Sequence, residues 1–187
     1  MDAESISSKE EFVRLLEEDG TWANFEADWQ AQCDKYEEDF EGYAEATFSV
    51  IRDLIRTEKK KAGVFALKMN GSFVAMCQVN KAGLPKYDSP VLRVRFMTLS
   101  PEFDLADKSF HEYGDVLSSL LAAVLELAYW NEELACMHVK FHLRSQADQQ
   151  FFATLGKGLQ DGNYFESIKT RGAWLYITRK QRNLVEV

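Results

Sequence analysis

Cysteine, histidine and proline are scarce in this chain, with three of each in 187 residues. Cys33, Cys77 and Cys136 are odd in number, widely spaced and form no CxxC motif, which argues against a disulfide framework. His111, His138 and His142 are the only imidazoles, so a structural zinc site lacks its usual spacing and no metal is expected. No apolar run reaches the length of a membrane span. The first residues are acidic and polar where a secretion signal would be basic and then apolar. Positive charge is also short at the front: residues 1–60 hold seventeen acidic and seven basic side chains, and the remainder thirteen and fifteen. That balance argues against nucleic acid as the main partner, because phosphate binding needs a basic face. A reducing, cytoplasmic setting without membrane attachment is the expectation.

What is present is a hydrophobic fraction of 46%, enough for a real core. One domain over 1–187 is expected, with an acidic helical part over 1–60 and a sheet-containing core over 62–178. Ser7 or Ser8 would cap a short helix running through Phe12, Val13, Leu15 and Leu16 to Asp19-Gly20. Trp22, Phe25, Trp29, Cys33, Tyr36 and Phe40 recur at steps of three and four, an aromatic stripe whose ordinary meaning is core. A third helix is expected over 44–60 after Gly42, burying Phe48, Ile51, Leu54 and Ile55, with Lys59, Lys60 and Lys61 complementing its C-terminal dipole. The period then changes. Runs at 64–69 and 72–79 flank Asn70-Gly71, a strong signal for a tight hairpin.

The central run, Val91-Leu92-Arg93-Val94-Arg95-Phe96-Met97-Thr98-Leu99, reads as a largely buried strand, making an antiparallel meander with the hairpin. Ser100-Pro101 stops it, an acidic loop runs to Gly114, and apolar residues at helical spacing mark a buried helix over 116–128. A further strand is expected over 136–143, with Met137, Val139, Phe141 and Leu143 on one face and Cys136, His138, Lys140 and His142 on the other. Strand, helix, strand implies a parallel, right-handed crossover. A helix capped by Ser145 and ended by Gly156 follows, then a closing strand over 173–177 with a partner around 165–168. A helix N-terminus beside a central strand end can hold an anion, commonly phosphate.

This order of elements resembles the GNAT superfamily of acyl-CoA-dependent N-acyltransferases. Three local matches fall in the right sequence. Leu99-Ser100-Pro101-Glu102-Phe103 is similar to the family's strand ending, Ser118-Ser119-Leu120-Leu121 to the Ser-Ala-Leu-Leu of its cofactor-binding helix, and Ala147 with Phe151-Phe152-Ala153-Thr154-Leu155-Gly156 to its penultimate helix. The resemblance covers roughly residues 62–178. It implies an α/β (α+β) fold with a GNAT-like mixed sheet, an antiparallel N-terminal meander, a parallel strand-helix-strand crossover and helices on both faces. It also implies acetyl-CoA or another acyl-CoA as cosubstrate, and an amine on a small molecule or protein as acceptor. Carried onto this sequence, Met97, Thr98 and Leu99 would hold the pantetheine arm, and Gly114, Asp115, Val116, Leu117 and Ser118 the phosphates.

The chain departs from the family's Arg/Gln-x-x-Gly-x-Gly/Ala, which falls at Glu112, Asp115 and Leu117. A carboxylate at Asp115 would repel a pyrophosphate, and Leu117 would crowd it. Lys108 and His111 could compensate, or Asp115 could serve only the helix. The family's tyrosine acid falls at Phe152, which has no proton to give, and its asparagine at Ser145, whose hydroxyl is the remaining donor. Arg93 and Arg95, with His138, Lys140 and His142, form a polar set on neighbouring strands; His138 or His142 is then a candidate base and the arginines an anion holder. The competing meaning is ion pairing with the acidic helices, or emergence at a sheet edge. Asp104 and Asp107 could attract an amine or simply be solvated. Three readings follow: a GNAT-type acyltransferase, a GNAT-like binding or regulatory module that has lost turnover, and an unrelated α+β interaction protein, which predicts no parallel pair within 91–143. An exposed C-terminal sheet edge would permit a homodimer.

Overall fold

A computed structural model describes residues 10–58 and 60–180, apart from the side chain of Ala46. Strand β1 (Glu10–Arg14) leads into helices α1 (Thr21–Lys35) and α2 (Phe40–Thr57), then β2 (Ala62–Met69), β3 (Ser72–Ala82) and β4 (Val91–Leu99). A short α3 (Pro101–Leu105) precedes the long α4 (Phe110–Trp130), and β5 (His138–His142), α5 (Gln146–Asp161), β6 (Ser167–Arg171) and β7 (Trp174–Thr178) complete the described chain. The strands form one mixed sheet in the order β1-β2-β3-β4-β5-β7-β6, with helices on both faces. The β4–β5 pair is parallel, joined through α4, which is the crossover the sequence implied and the pair that an unrelated fold would lack. Asn70 (φ 52°) and Gly71 (φ 93°) both take positive φ, the mirror-image turn whose twist matches a two-residue hairpin between β2 and β3.

Contacts divide the chain into two compact units. The first comprises the chain through Thr57 together with Val64–Met76 and Thr98–Ala123. Its core is the aromatic stripe: Phe25, Trp29 and Phe48 are fully buried, with Phe25 and Trp29 ring centroids 4.5 Å apart. Trp29 Nε1 donates to the Phe73 carbonyl at 2.9 Å and Asp28 accepts from the Phe73 amide at 2.9 Å, which fixes α1 on the start of β3. The second unit comprises Glu58–Gly63, Cys77–Met97 and Val124 onward. There Phe141 of β5 lies 6.0 Å from Phe152 of α5, and Leu175, Ile177 and Ile168 are buried on the same face of the sheet by register. Burial holds the Cys77 thiol at a pKa of about 12 and raises that of Cys136, so both behave as small apolar groups.

Several expected boundaries move. Residues 10–14 form a strand, not a helix, paired antiparallel with β2 from Glu10↔Met69 to Arg14↔Phe65. A helix of that length is marginal on its own, whereas the unpaired edge of β2 offers five residues of ladder and a stacking partner for Phe12 in Phe65. Its expected caps, Ser7 and Ser8, lie outside the described residues, as does Lys59. The stripe's helix stops at Lys35, and Phe40 opens α2 four residues before the expected start. Asp39 Oδ2 accepts from the Gly42 amide at 2.9 Å, so Gly42 sits in a capped first turn and breaks nothing. Helix α5 continues through Gly156 to Asp161 because the buried glycine packs against β6, where its missing Cβ would stand 3.7 Å from Ile168 Cγ1.

Candidate functional site

The last registered pair between β4 and β5 is Val94↔Phe141, and β4 runs on for five residues to Leu99. At Phe96 the backbone turns left-handed (φ 51°), a conformation that costs an ordinary side chain roughly 1–2 kcal/mol. Burial along the strand switches there from Leu92 and Val94 to Met97, as when one extra residue kinks a strand away from its neighbour. Pairing with β5 therefore ends before Met97 to Leu99, the segment that the resemblance implies for the pantetheine arm. Of that segment, Met97 is buried and Thr98 and Leu99 are half-buried.

Beside the divergence lies a cavity of about 300 Å³ lined by Arg93, Arg95, Phe96, His142, Arg144 and Trp174. Strand alternation builds it. Arg93 is opposite Lys140, which is opposite Tyr176, and His142 is opposite Trp174, so these groups share the sheet face away from Phe141 and α5. Trp174 anchors the row: Lys140 Nζ stands 4.0 Å from its ring centroid and the His142 ring 4.7 Å. Arg95 Nε donates to Oε1 of the fully buried Gln78 at 3.1 Å, and Gln78 Nε2 donates to Glu58 Oε1 at 2.6 Å. Burial lowers the Arg95 pKa and the neighbouring Arg93 charge adds to that, with Glu58 opposing. Among the described residues no carboxylate pairs directly with Arg93 or Arg95, while Glu58, just past the end of α2, is linked to Arg95 through Gln78.

The two candidate bases separate cleanly. His142 is half-buried, lines this cavity, and among the described residues its ring nitrogens make no hydrogen bond. His138 lies at the other end of β5, four residues or about 13 Å of strand away. Both its nitrogens are engaged, Nδ1 with Thr178 Oγ1 and Nε2 with Asp88 Oδ1, each at 3.2 Å, and Tyr87 packs edge-on against it. That hydrogen bond to His138 holds the Asp88 carboxyl below its ordinary range. His138 thus belongs to a different cavity, of about 430 Å³, and is tied into the loop before β4. Ser145 is the N-cap of α5: its hydroxyl accepts from the Asp148 amide and the Asp148 carboxylate accepts from the Ser145 amide, both at 2.9 Å. Phe152, in the tyrosine position, is buried in the core.

The expected phosphate segment is placed differently from the sequence reading. Helix α4 begins at Phe110, six residues before the expected Val116, so Gly114, Asp115, Val116, Leu117 and Ser118 lie beyond its first turn, where backbone N–H groups are bonded within the helix. Val116 and Leu117 are buried core, and Asp115 is exposed with its Oδ2 2.9 Å from His111 Nδ1. The helix mouth is closed by its own capping box. Glu112 Oε2 accepts from the Ser109 amide at 2.9 Å, and the Glu112 amide donates to Ser109 Oγ at 3.2 Å. Lys108 Nζ lies 3.3 Å from Glu112 and 3.7 Å from Glu102. Asp104 accepts from the Tyr43 hydroxyl at 2.7 Å, and is therefore more than a solvated loop carboxylate. Sequence reasoning missed Arg144 and Trp174 as cavity residues and the Ser109-x-x-Glu112 box, although that four-residue pattern was visible. Among the described residues no cluster of His, Cys, Asp or Glu is grouped to hold a metal ion, and no helix is long and apolar enough to cross a membrane.

No protein-family model matches the chain, and no curated protein matches it in sequence. Solved structures do match. A probable acetyltransferase from Staphylococcus epidermidis is 11% identical with a TM-score of 0.50, covering 92% of this chain and 100% of that one. An N-acetyltransferase from Staphylococcus aureus Mu50 is 13% identical at a TM-score of 0.48, covering 91% and 97%. At such identities the likeness is one of architecture. Together with the parallel β4–β5 pair and the strand order, the likeness to the Staphylococcus epidermidis structure establishes that this chain has the GNAT fold.

Proposed function

We propose that the protein is an acyl-CoA-dependent N-acyltransferase that moves an acetyl or longer acyl group to a primary amine, with His142 as the base. The observation that carries this reading is the free imidazole of His142 in a cavity beside the diverging end of β4. The thioester lies against the backbone of Met97, Thr98 and Leu99, in the part of β4 that runs on beyond its registered pairing with β5. His142 takes a proton from the acceptor amine as its nitrogen attacks the thioester carbonyl carbon. The C–N bond forms, the C–S bond breaks, and the proton passes from the imidazolium to the departing thiolate, so that one side chain serves as base and then as acid. No tyrosine at position 152 is needed for that sequence.

The CoA phosphates have no glycine cradle, and Glu112 stands at the mouth of α4. That carboxylate is what favours the second reading, a binding or regulatory module in which turnover is lost. Thiol release from acetyl-CoA, followed with a panel of primary amines, separates the two. The transferase reading expects amine-dependent release, reduced about 10²- to 10⁴-fold in His142→Gln with the fold intact. Absence of release with every amine, or full turnover by His142→Gln, contradicts it.

A further inference from the structure

The cavity that holds His142 has no carboxylate in its lining, yet two half-buried guanidinium groups line it, those of Arg93 and Arg95, beside the exposed Arg144. Confining like charges in a half-buried space is unfavourable unless a counter-charge is supplied. Among the described residues no carboxylate pairs directly with Arg93 or Arg95, the two that the inference uses. Arg95 is held by the neutral amide of Gln78, which in turn donates to Glu58. Burial and the Arg93 charge lower the Arg95 pKa, with Glu58 opposing. The other cations on this sheet face are placed otherwise: Lys140 is stacked over Trp174 and Tyr176, and Lys169 is exposed on β6.

From this geometry, and resting on the transferase reading above, we infer that the acceptor is a small primary amine that carries a carboxylate, bound with its carboxylate on Arg93 and Arg95 and its amine toward His142. Guanidinium groups present paired N–H donors that match a carboxylate, and the fit orients as well as binds. Phe96 and Trp174 supply apolar walls on either side. A volume of about 300 Å³ is at the small end of ligand sites, suited to an amino acid and too small for an extended peptide.

Binding of the product class tests this without turnover and without CoA. N-acetylglycine, N-acetylleucine, N-acetylphenylalanine and N-acetylglutamate, each beside its α-carboxamide, are titrated calorimetrically into the full chain. The carboxylate is expected to bind roughly ten- to hundredfold more tightly than the carboxamide, the range for hydrogen bonds to a charged group. That preference is expected to fall below about twofold in Arg93→Gln and to persist in Lys169→Gln, whose charge lies outside the cavity. Arg93→Lys, which keeps charge without the fork, retains part of it, so loss in the Gln variant is not confused with misfolding. Equal affinity for carboxylate and carboxamide, or displacement of the ligand by desulfo-CoA, overturns the inference; displacement would mark the arginines as a cofactor phosphate site. A clear carboxylate preference without thiol release from acetyl-CoA sinks the transferase reading and leaves the anion pocket standing.

Discussion

Glu102 shows how much a single side chain does where β4 ends. Its backbone amide donates to Gln32 Oε1 at 3.2 Å, and its carboxylate lies 3.1 Å from Lys35 Nζ and 3.7 Å from Lys108 Nζ. The Lys35 hydrogen bond pulls its pKa below the ordinary value of 4.5, against the opposing effect of partial burial. A depressed carboxylate contributes stability that is fully present above pH 4.5 and disappears as pH falls through the lower folded value. The pair is largely solvated, so the contribution is at most about 1 kcal/mol. Glu102→Gln is therefore expected to unfold at slightly lower urea at pH 7 and to converge with the parent protein at the acid end of a pH series. A constant difference at all pH values would contradict the ion-pair origin. The same residue scale shows what alternation conceals. His138 and His142 occupy equivalent places in the strand pattern, and only the fold brings Asp88 and Thr178 to one and the arginine-lined cavity to the other.

At the scale of elements, the legible parts were those whose own period or turn chemistry decides them. Strand β4 was expected over 91–99 and spans Val91–Leu99, and Asn70-Gly71 makes the hairpin it encodes. Misreadings occurred where a neighbour decides. Residues 10–14 become a strand because β2 offers an edge, and α4 starts at Phe110 because Ser109 and Glu112 cap it, although the apolar repeat becomes dense only at Val116. Glycine misled at Gly42 and Gly156 because packing or a cap outweighs its helix penalty. Gly156 gives a direct check. A Cβ there meets Ile168 Cγ1 at 3.7 Å, an ordinary contact, while alanine favours the helix by about 1 kcal/mol. Gly156→Ala is expected to raise the urea midpoint by an amount equivalent to about 0.5–1 kcal/mol; a lowered midpoint would mean that α5 and β6 pack more closely than described.

Across the whole molecule, the uneven charge of the sequence resolves into two different uses. Two carboxylates of the N-terminal third pair within the first unit, Glu17 with Arg56 and Glu26 with Arg52, whereas the second unit gathers arginines at one cavity. The fold class was readable from the order of elements, because a strand-helix-strand crossover after a meander leaves few topologies open. The cavity was only half readable: His142, Arg93 and Arg95 were legible from alternation, but Trp174 enters it only through the pairing of β5 with β7, and Arg144 lies two residues past the end of β5. The proposed function also makes a prediction about the molecule as a unit, that the diverging end of β4 seats a thioester carrier. Thermal or urea unfolding followed across an acetyl-CoA titration tests it most directly. The expected result is a stability gain of about 2.7 kcal/mol at one hundred times the dissociation constant, retained in His142→Gln. No gain up to millimolar acetyl-CoA would contradict it.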